Sequence, residues 1–274
     1  MGGKPAPLLV ALLVLAASMA VLAAAEPQPP SLLRSWVGKP PGVTEVVAVS
    51  AGELIISDPA DDQYKFYRPD WNWPITSDLD LLEARFYSDG GNLYLRFKLS
   101  TLKSEYCPYI MVPIDFTPDD PTDGFSEWLP DWSDTRLPWK WDAIIGVNLG
   151  KGGQPFVFYQ SWSPTFTGSL SIDASSGVIE VSIPLSALPG LRIYKGVAPM
   201  RLTVITFANS FGGIWDPGKN NAYDPATGKT ITENDYASNA YDVAGQSPTW
   251  EELYGGWATG DYTVDTSFTI AIAV

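Results

Sequence analysis

Residues 53–101 read ELIISDPADDQYKFYRPDWNWPITSDLDLLEARFYSDGGNLYLRFKLST, and this stretch decides the fold. Apolar side chains occupy every second position in 82–86 and again in 93–99, which is the period of a half-buried strand. Between these runs, 88–92 supplies the turn-forming residues Ser-Asp-Gly-Gly-Asn. The sequence therefore predicts a β-hairpin here, and 53–57 is predicted to be a strand that ends in an acidic turn.

The rest of the chain continues as short apolar runs separated by Gly, Pro, Asn and Asp. These runs predict strands at 44–49, 53–57, 81–87, 92–100, 109–115, 141–149, 156–160, 169–173, 178–184, 201–209 and 264–273, and single helical turns at 185–188 and 249–254. Many short strands without an amphipathic helix are typical of an all-β fold. We expect an antiparallel, jelly-roll-like β-sandwich of two sheets over 44–274, with long ordered loops at 117–140 and 211–242.

The N-terminus has the features of a targeting segment. Lys4 precedes an apolar stretch at 8–22, and three alanines precede Glu26. We interpret 1–25 as a signal peptide; an uncleaved membrane anchor is the alternative, because the apolar stretch is long. The proline-rich segment 26–43 is expected to be an extended linker. The mature protein is then expected to be extracellular or held at the cell surface.

The composition excludes several classes of function. The chain has 274 residues, no His, one Cys and a formal net charge of −14. Without His there is no Ser-His-Asp triad and no His-ligated metal, and the lone Cys107 forms no internal disulfide. The acidic balance argues against nucleic acid and anionic membrane surfaces, and it favours cations or neutral partners such as sugars.

The catalytic chemistry that remains is a carboxylate pair of the glycosidase type. Such a pair needs a separation of about 5–10 Å, which some pair of acids meets by chance in a chain with Asp+Glu 31. The sequence therefore gives no specific sign of an active site, and we expect a protein that is not an enzyme.

Acidic residues are concentrated in the predicted turns. Asp58, Asp61 and Asp62 share one turn, Asp115 ends a predicted strand, and Asp242 lies in a late segment. Calcium takes about 6–8 oxygen ligands from carboxylates, carbonyls and amides, so such turns can bind it without His or Cys. The alternative is that these acids cap turns and keep the surface soluble.

Tryptophans are the second unusual feature, because most of the 11 Trp lie in predicted loops. Sugars present flat C–H faces that stack on an indole ring, and hydroxyls that bind polar side chains beside it. The segments 70–73 (DWNW) and 127–132 (EWLPDW) combine such rings with acidic and amide groups. The alternative is that the rings close the ends of the sandwich as additional core. The candidate carbohydrate-binding residues are Trp71, Trp73, Trp128, Trp132, Trp215 and Trp257.

The order of the motifs carries a resemblance to a known family. The motifs are ISDPADD at 56–62, DLDLLE at 78–83, NLYLRF at 92–97, ID at 114–115, AYDV at 240–243 and TWEE at 249–252. In this order they resemble the C-terminal module of glucodextranases and archaeal amylopullulanases, which is related to the DOMON-like and family-nine carbohydrate-binding sandwiches.

The resemblance implies a β-sandwich that binds polysaccharide or attaches an exported protein to the cell surface, commonly with bound calcium. The positions that it implies as calcium ligands are Asp58, Asp61, Asp62, Asp115, Asn239 and Asp242. Relatives that bind haem use Met or His as ligands, so a chain without His is not expected to bind haem.

Three hypotheses of function follow. The first is an exported, non-catalytic module that binds a polysaccharide or a cell-envelope glycan through loop aromatics, with calcium ordering the acidic loops. The second is a structural subunit of the cell envelope or of an extracellular filament, which self-associates through exposed edge strands. A carboxylate-based glycosidase is the third and most remote.

Overall fold

The computed structural model describes residues 45–46, 53–104, 107–120, 122–131, 133–151, 153–193, 197–210, 213–217, 219–225, 227–231, 239–245, 264 and 267–273. The strands are β1 Glu45–Val46, β2 Leu54–Ser57, β3 Leu81–Ser88, β4 Asn92–Leu99, β5 Pro108–Asp115, β6 Ser126–Trp128, β7 Arg136–Trp141, β8 Ala143–Asn148, β9 Pro155–Tyr159, β10 Thr165–Phe166, β11 Ser169–Asp173, β12 Val178–Pro184, β13 Val197–Leu202, β14 Ile205–Ser210, β15 Gly213–Ile214, β16 Tyr223–Asp224, β17 Lys229–Thr230, β18 Ala240–Val243 and β19 Phe268–Ala273. Short 3-10 turns occur at Thr76–Asp78, Leu149–Lys151 and Leu185–Ala187. None of the helical segments in these residues is long and apolar enough to cross a membrane.

Two sheets form the sandwich. The smaller has five strands in the order β11-β12-β4-β3-β2, and the larger has ten. The path of the larger sheet is β1-β19-β13-β5-β8-β9-β10, with β14 pairing with β5 and connecting β15 and β18. The short β1–β19 pair is parallel, whereas the pairs that build both sheets elsewhere in the described chain are antiparallel. The expected all-β sandwich of two sheets is confirmed.

The predicted β-hairpin with its turn at 88–92 is formed by β3 and β4. Strand β3 pairs with β4 so that Tyr87 lies opposite Tyr94, and Gly90 adopts a φ of 86°, which favours glycine. The Asp89 Oδ1 atom accepts the backbone N–H groups of Gly91 and Asn92 at 2.9 and 2.8 Å. A short acidic side chain thus replaces the hydrogen bonds that the turn cannot form with itself.

Strand β5 is buried on both faces, and this explains its unbroken apolar sequence. One face contributes to an inner core between the sheets, and the other to an outer core under the loops. The inner core includes Ile110, Val112 and Ile114 of β5 with Leu95, Phe97, Val181 and Met200. The outer core includes Tyr109 and Met111 of β5 with Phe66, Trp139, Trp141, Phe158, Trp215 and Tyr241. The loops therefore build a third layer outside the larger sheet.

The structure corrects three of the predicted elements. The single strand expected at 201–209 is divided into β13 and β14, which pair with β5 in one continuous register and are interrupted at 203–204, opposite Pro113, which has no backbone N–H to donate. The expected loop at 117–140 contains the β6–β7 hairpin, and the loop at 211–242 contains β15, β16, β17 and the start of β18. The turn expected at 185–188 is present as Leu185–Ala187, and 249–254 lies outside the described residues.

Candidate functional site

Three carboxylates from distant parts of the chain meet at one edge of the sandwich. Asp58 and Asp62 belong to the loop after β2, and Asp242 belongs to β18. One oxygen atom from each lies within 4.8 Å of the others. We call this group the acidic triad, and sequence reasoning had named all three members as calcium ligands.

The acidic triad lies at the seam between the two sheets. Asp242 comes from the larger sheet, and its Oδ2 atom accepts the backbone N–H of Leu81 in β3 at 2.7 Å. Asp58 follows β2 of the smaller sheet, and its Oδ1 atom accepts the backbone N–H of Gly245 beyond β18. Each of these two carboxylates thus binds backbone of the opposite sheet. These hydrogen bonds hold the loop after β2 and the end of β18 in place.

A fourth acid, Asp80, adjoins the acidic triad. Asp80 is buried, and its two carboxylate oxygens accept the backbone N–H of Asp61 at 2.9 and 3.1 Å. Its charge raises the pKa of Asp58. Sequence reasoning did not propose Asp80 as a site residue. The available signal was the alternation of Asp78 and Asp80 with Leu79 and Leu81, which places both acids on one side of an incoming strand.

The acidic triad brings three acidic groups close together. Burial, followed by repulsion from Asp62 and Asp80, raises the pKa of Asp58 to about 7. Burial, followed by repulsion from Asp58, raises the pKa of Asp242 to about 9. No Lys or Arg in the described part of the chain forms an ion pair with Asp58, Asp80 or Asp242. At neutral pH these acids must therefore share protons or a bound cation.

This arrangement predicts an unusual pH dependence of stability in a chelating buffer. In the unfolded chain, Asp releases its proton near pH 3.9, whereas folded Asp58 and Asp242 hold theirs up to about pH 7 and about pH 9. The folded state then binds more protons, so the free energy of unfolding is expected to fall as the pH rises from about 4 towards 9. Urea unfolding at pH 5 and pH 8 measures this fall.

An Asp58→Asn variant isolates the contribution of the acidic triad to that pH dependence. The amide retains an oxygen for the Gly245 N–H, removes one charge, and places an N–H group near Asp242. We expect the variant to lose less stability than the native protein between pH 5 and pH 8. An equal loss in both proteins would show that acids elsewhere, such as Asp115 with its pKa raised by burial to about 6, cause the effect.

The structure does not bring the other expected calcium ligands to this place. The carboxylate of Asp61 points outward and pairs with Lys65 at 2.7 Å. Asp115 lies at the end of β5, where it accepts the Thr117 N–H at 2.7 Å and faces Arg201 at 3.7 Å. Asn239 is buried beside Asp134, with 3.5 Å between its Nδ2 atom and the carboxylate. Each of the three has a different local role from the acidic triad.

The six candidate tryptophans fall into three groups. Trp71 and Trp128 are 59% and 46% exposed. Trp73 is partly buried against the outer core, and Trp215 is buried within it. Trp132 and Trp257 lie outside the described residues. Assigning Trp215 to carbohydrate contact is therefore wrong, because the loops fold over it as a third layer that a two-sheet sandwich does not have.

Each exposed candidate tryptophan lies beside an arginine. The guanidinium of Arg68 lies 3.9 Å from the Trp71 ring centre, and Arg68 also pairs with Asp70 at 2.8 Å. The guanidinium of Arg136 lies 5.9 Å from the Trp128 ring centre and binds Glu127. These arrangements hold an indole in place and put charged hydrogen-bonding groups beside it.

Four further exposed rings in the described residues were not among the candidates, and they are Tyr87, Phe125, Trp162 and Phe166. Trp162 is 54% exposed and Phe125 is 36% exposed. Trp162 could have been selected as a candidate because it lies between two predicted strands. Phe125 could not, because the candidates were chosen among tryptophans, and a Phe ring has no polar atom.

Comparison with known proteins gives no family for this chain. Neither the family models nor the curated proteins include one that matches it. The likeness to glucodextranase modules thus stays a prediction that rests on the motifs quoted above.

Proposed function

We propose that this chain is an exported, non-catalytic β-sandwich that binds carbohydrate or attaches to a cell surface, with calcium bound by the acidic triad. The observation that carries the proposal is the convergence of Asp58, Asp62 and Asp242 at the seam between the sheets. The resemblance to glucodextranase modules supports it, since it had matched these three positions to acidic segments far apart in the chain.

The donor set of the acidic triad fits calcium. Carboxylate oxygens are the hard ligands that calcium prefers, and the site contains neither His nor Cys. The Oδ2 atom of Asp58 is buried and accepts no hydrogen bond from the described residues, so it has capacity for an ion. A divalent cation bound by Asp58, Asp62 and Asp242 would neutralise their mutual repulsion and hold the loop after β2 against β18.

The position of Asp242 argues for a ligand rather than a catalytic acid. The residue is fully buried, and its two oxygens accept the N–H groups of Leu81 and Val243 at 2.7 and 2.8 Å. A general acid must reach the leaving oxygen of a substrate, whereas this carboxylate is held among backbone groups. A structural role for the acidic triad therefore accords with a binding protein that catalyses no reaction.

Carbohydrate is the partner that the surface favours. Exposed indoles beside charged groups at Trp71 and Trp128 suit sugars, which combine apolar faces with hydroxyls. The net charge of −14 disfavours anionic partners such as nucleic acid. The proposed partner is thus a neutral polysaccharide or a cell-envelope glycan.

Retention on polysaccharide tests the proposed function directly. The purified protein is mixed with insoluble starch, cross-linked dextran, cellulose and isolated cell envelopes, each with calcium and with a chelator. We expect retention on at least one of these materials, with less retained in the chelator. Failure to be retained on any of them would exclude the proposed carbohydrate binding, whatever the outcome of calcium measurements.

A further inference from the structure

An exposed aromatic cluster lies away from the acidic triad, where the β6–β7 hairpin meets the loop after β9. It consists of Phe125, Trp141 and Trp162, which we call the aromatic cradle. Trp141 is fully buried and forms its floor, with its indole N–H donating to the Trp128 carbonyl at 2.8 Å. Phe125 and Trp162 stand on this floor, with ring centres 4.9 and 5.8 Å from that of Trp141.

The two exposed rings are held by the backbone beneath them. Phe125 donates its N–H to the carbonyl of Trp141 at 2.7 Å, and Gln160 donates its N–H to the carbonyl of Asp142 at 3.0 Å. Adjacent residues of one segment thus anchor both loops. Gln160 also has a φ of 42°, a left-handed conformation that is uncommon for a residue with a side chain. The cradle is therefore built in advance of any ligand.

Polar groups adjoin the cradle on both sides. The buried Asp142 accepts the Gln160 side-chain N–H at 3.3 Å through one oxygen and the Phe116 backbone N–H at 2.8 Å through the other. Two residues before Phe125, Asp123 pairs with the exposed Arg192 at 2.9 Å. The segments that carry Phe125 and Trp162 thus also hold a positive group, a negative group and an amide, which is the mixture of donors and acceptors that neutral hydroxyls require.

The angle between the exposed rings restricts the shape of the ligand. The planes of Phe125 and Trp162 are inclined by 61°, with ring centres 5.2 Å apart. Two rings at this angle do not lie on one flat surface, so they cannot both stack on the face of a crystal of packed chains. The rings contact each other edge to face and together present two inclined surfaces, which suit one flexible chain better than a flat array of chains.

We propose that the aromatic cradle binds a single, neutral glycan chain, which lies across the two inclined surfaces formed by the Trp162 and Phe125 rings. This inference rests on the proposed carbohydrate binding and specifies its place and its ligand. It predicts recognition of soluble glycans in preference to crystalline polysaccharide. Ligand binding would also explain why these apolar rings are exposed, since most of the other aromatic residues in the described part of the chain are buried.

The test compares Trp162→Ala and Phe125→Ala with a Tyr87→Ala control. Tyr87 is also an exposed aromatic residue, but it lies on β3 of the smaller sheet and stacks on Tyr94, whereas β9 belongs to the larger sheet and β7 pairs with β6 in a separate hairpin. The probes are soluble starch, dextran and mixed-linkage β-glucan, measured by affinity electrophoresis, together with crystalline cellulose in a pull-down. Thermal unfolding verifies that each variant is folded.

We expect the native protein and Tyr87→Ala to bind at least one soluble glycan, and Trp162→Ala to bind it about tenfold or more weakly. Phe125→Ala should weaken the same interaction. Native affinity in both cradle variants would overturn the cradle while leaving the proposed function intact. Retention on crystalline cellulose without binding to soluble chains would overturn the single-chain assignment. No binding to any of these probes would overturn the cradle as their binding site, and the retention test on cell envelopes decides the proposed function separately.

Discussion

Calcium added to chelator-treated protein at pH 8 is expected to raise the midpoint of thermal unfolding by several degrees. An ion present at one hundred times its dissociation constant stabilises the folded state by about 2.7 kcal/mol. For a domain of this size that corresponds to a rise of roughly 5–10 °C. The gain should be smaller at pH 5, because the raised pKa values of Asp58 and Asp242 leave protons to compete with the ion.

Variants distinguish the acidic triad from the other acids of the same loop. Asp58→Asn and Asp242→Asn should lose the calcium response, whereas Asp61→Asn should retain it because that carboxylate faces Lys65 instead. Calorimetry near pH 7 should also show proton release when the native protein binds calcium. A calcium response that persists in Asp58→Asn, or that disappears in Asp61→Asn, would place the ion elsewhere.

Replacing Asp78 with Ala is expected to destabilise the fold by about 3–5 kcal/mol. Asp78 is fully buried at the end of a 3-10 turn. Its Oδ1 atom accepts the Thr101 hydroxyl at 2.5 Å and the Lys103 N–H at 2.9 Å, and its Oδ2 atom accepts the Ser104 N–H at 2.7 Å. Removing the carboxylate leaves a buried cavity and takes the acceptor from three partly buried donors in the segment that carries the chain from the smaller sheet to the larger.

Asp173→Ala provides the matched control for this experiment. Asp173 also accepts N–H and O–H groups of a turn, from Ser175 and Ser176, but these hydrogen bonds are exposed to water. Water can replace those hydrogen bonds, so urea unfolding should show a much smaller change than for Asp78→Ala. Similar losses in the two variants would mean that the buried connection does not depend on Asp78.

The sequence predicted the strands best where one face of a sheet meets the inner core. The alternation in β4 and β12 follows directly from that geometry, and the Gly and Asp residues at 89–91 predicted the turn between β3 and β4. Strand β5 was found as an apolar run, although its sequence alone did not reveal what covers its second face. Strand β7 was missed although Leu137, Trp139 and Trp141 alternate with polar residues or proline, because Pro138 and the many Asp, Pro and Trp residues around it favour a loop.

The candidate site was only partly predictable, because the sequence does not show in which direction a loop side chain points. Asp58, Asp61 and Asp62 share one turn, yet Asp61 has a φ of 67° and its carboxylate leaves the group that the other two form with Asp242. Sequence spacing does not reveal this reversal of direction. Similarly, Trp71 and Trp215 are both loop tryptophans, and their difference in exposure depends on which loop folds over the larger sheet.

The hydrogen bond from Gly245 to Asp58 joins residues 187 positions apart. A ribosome makes the chain from its amino end, so the first two acids of the triad exist for most of synthesis without their third member. On the proposed function, tight binding of calcium requires Asp242 and is therefore acquired only late in synthesis. A product that ends before Asp242 would contain Asp58 and Asp62 without the third carboxylate. The unfolding temperature measured with calcium would therefore distinguish complete molecules from fragments.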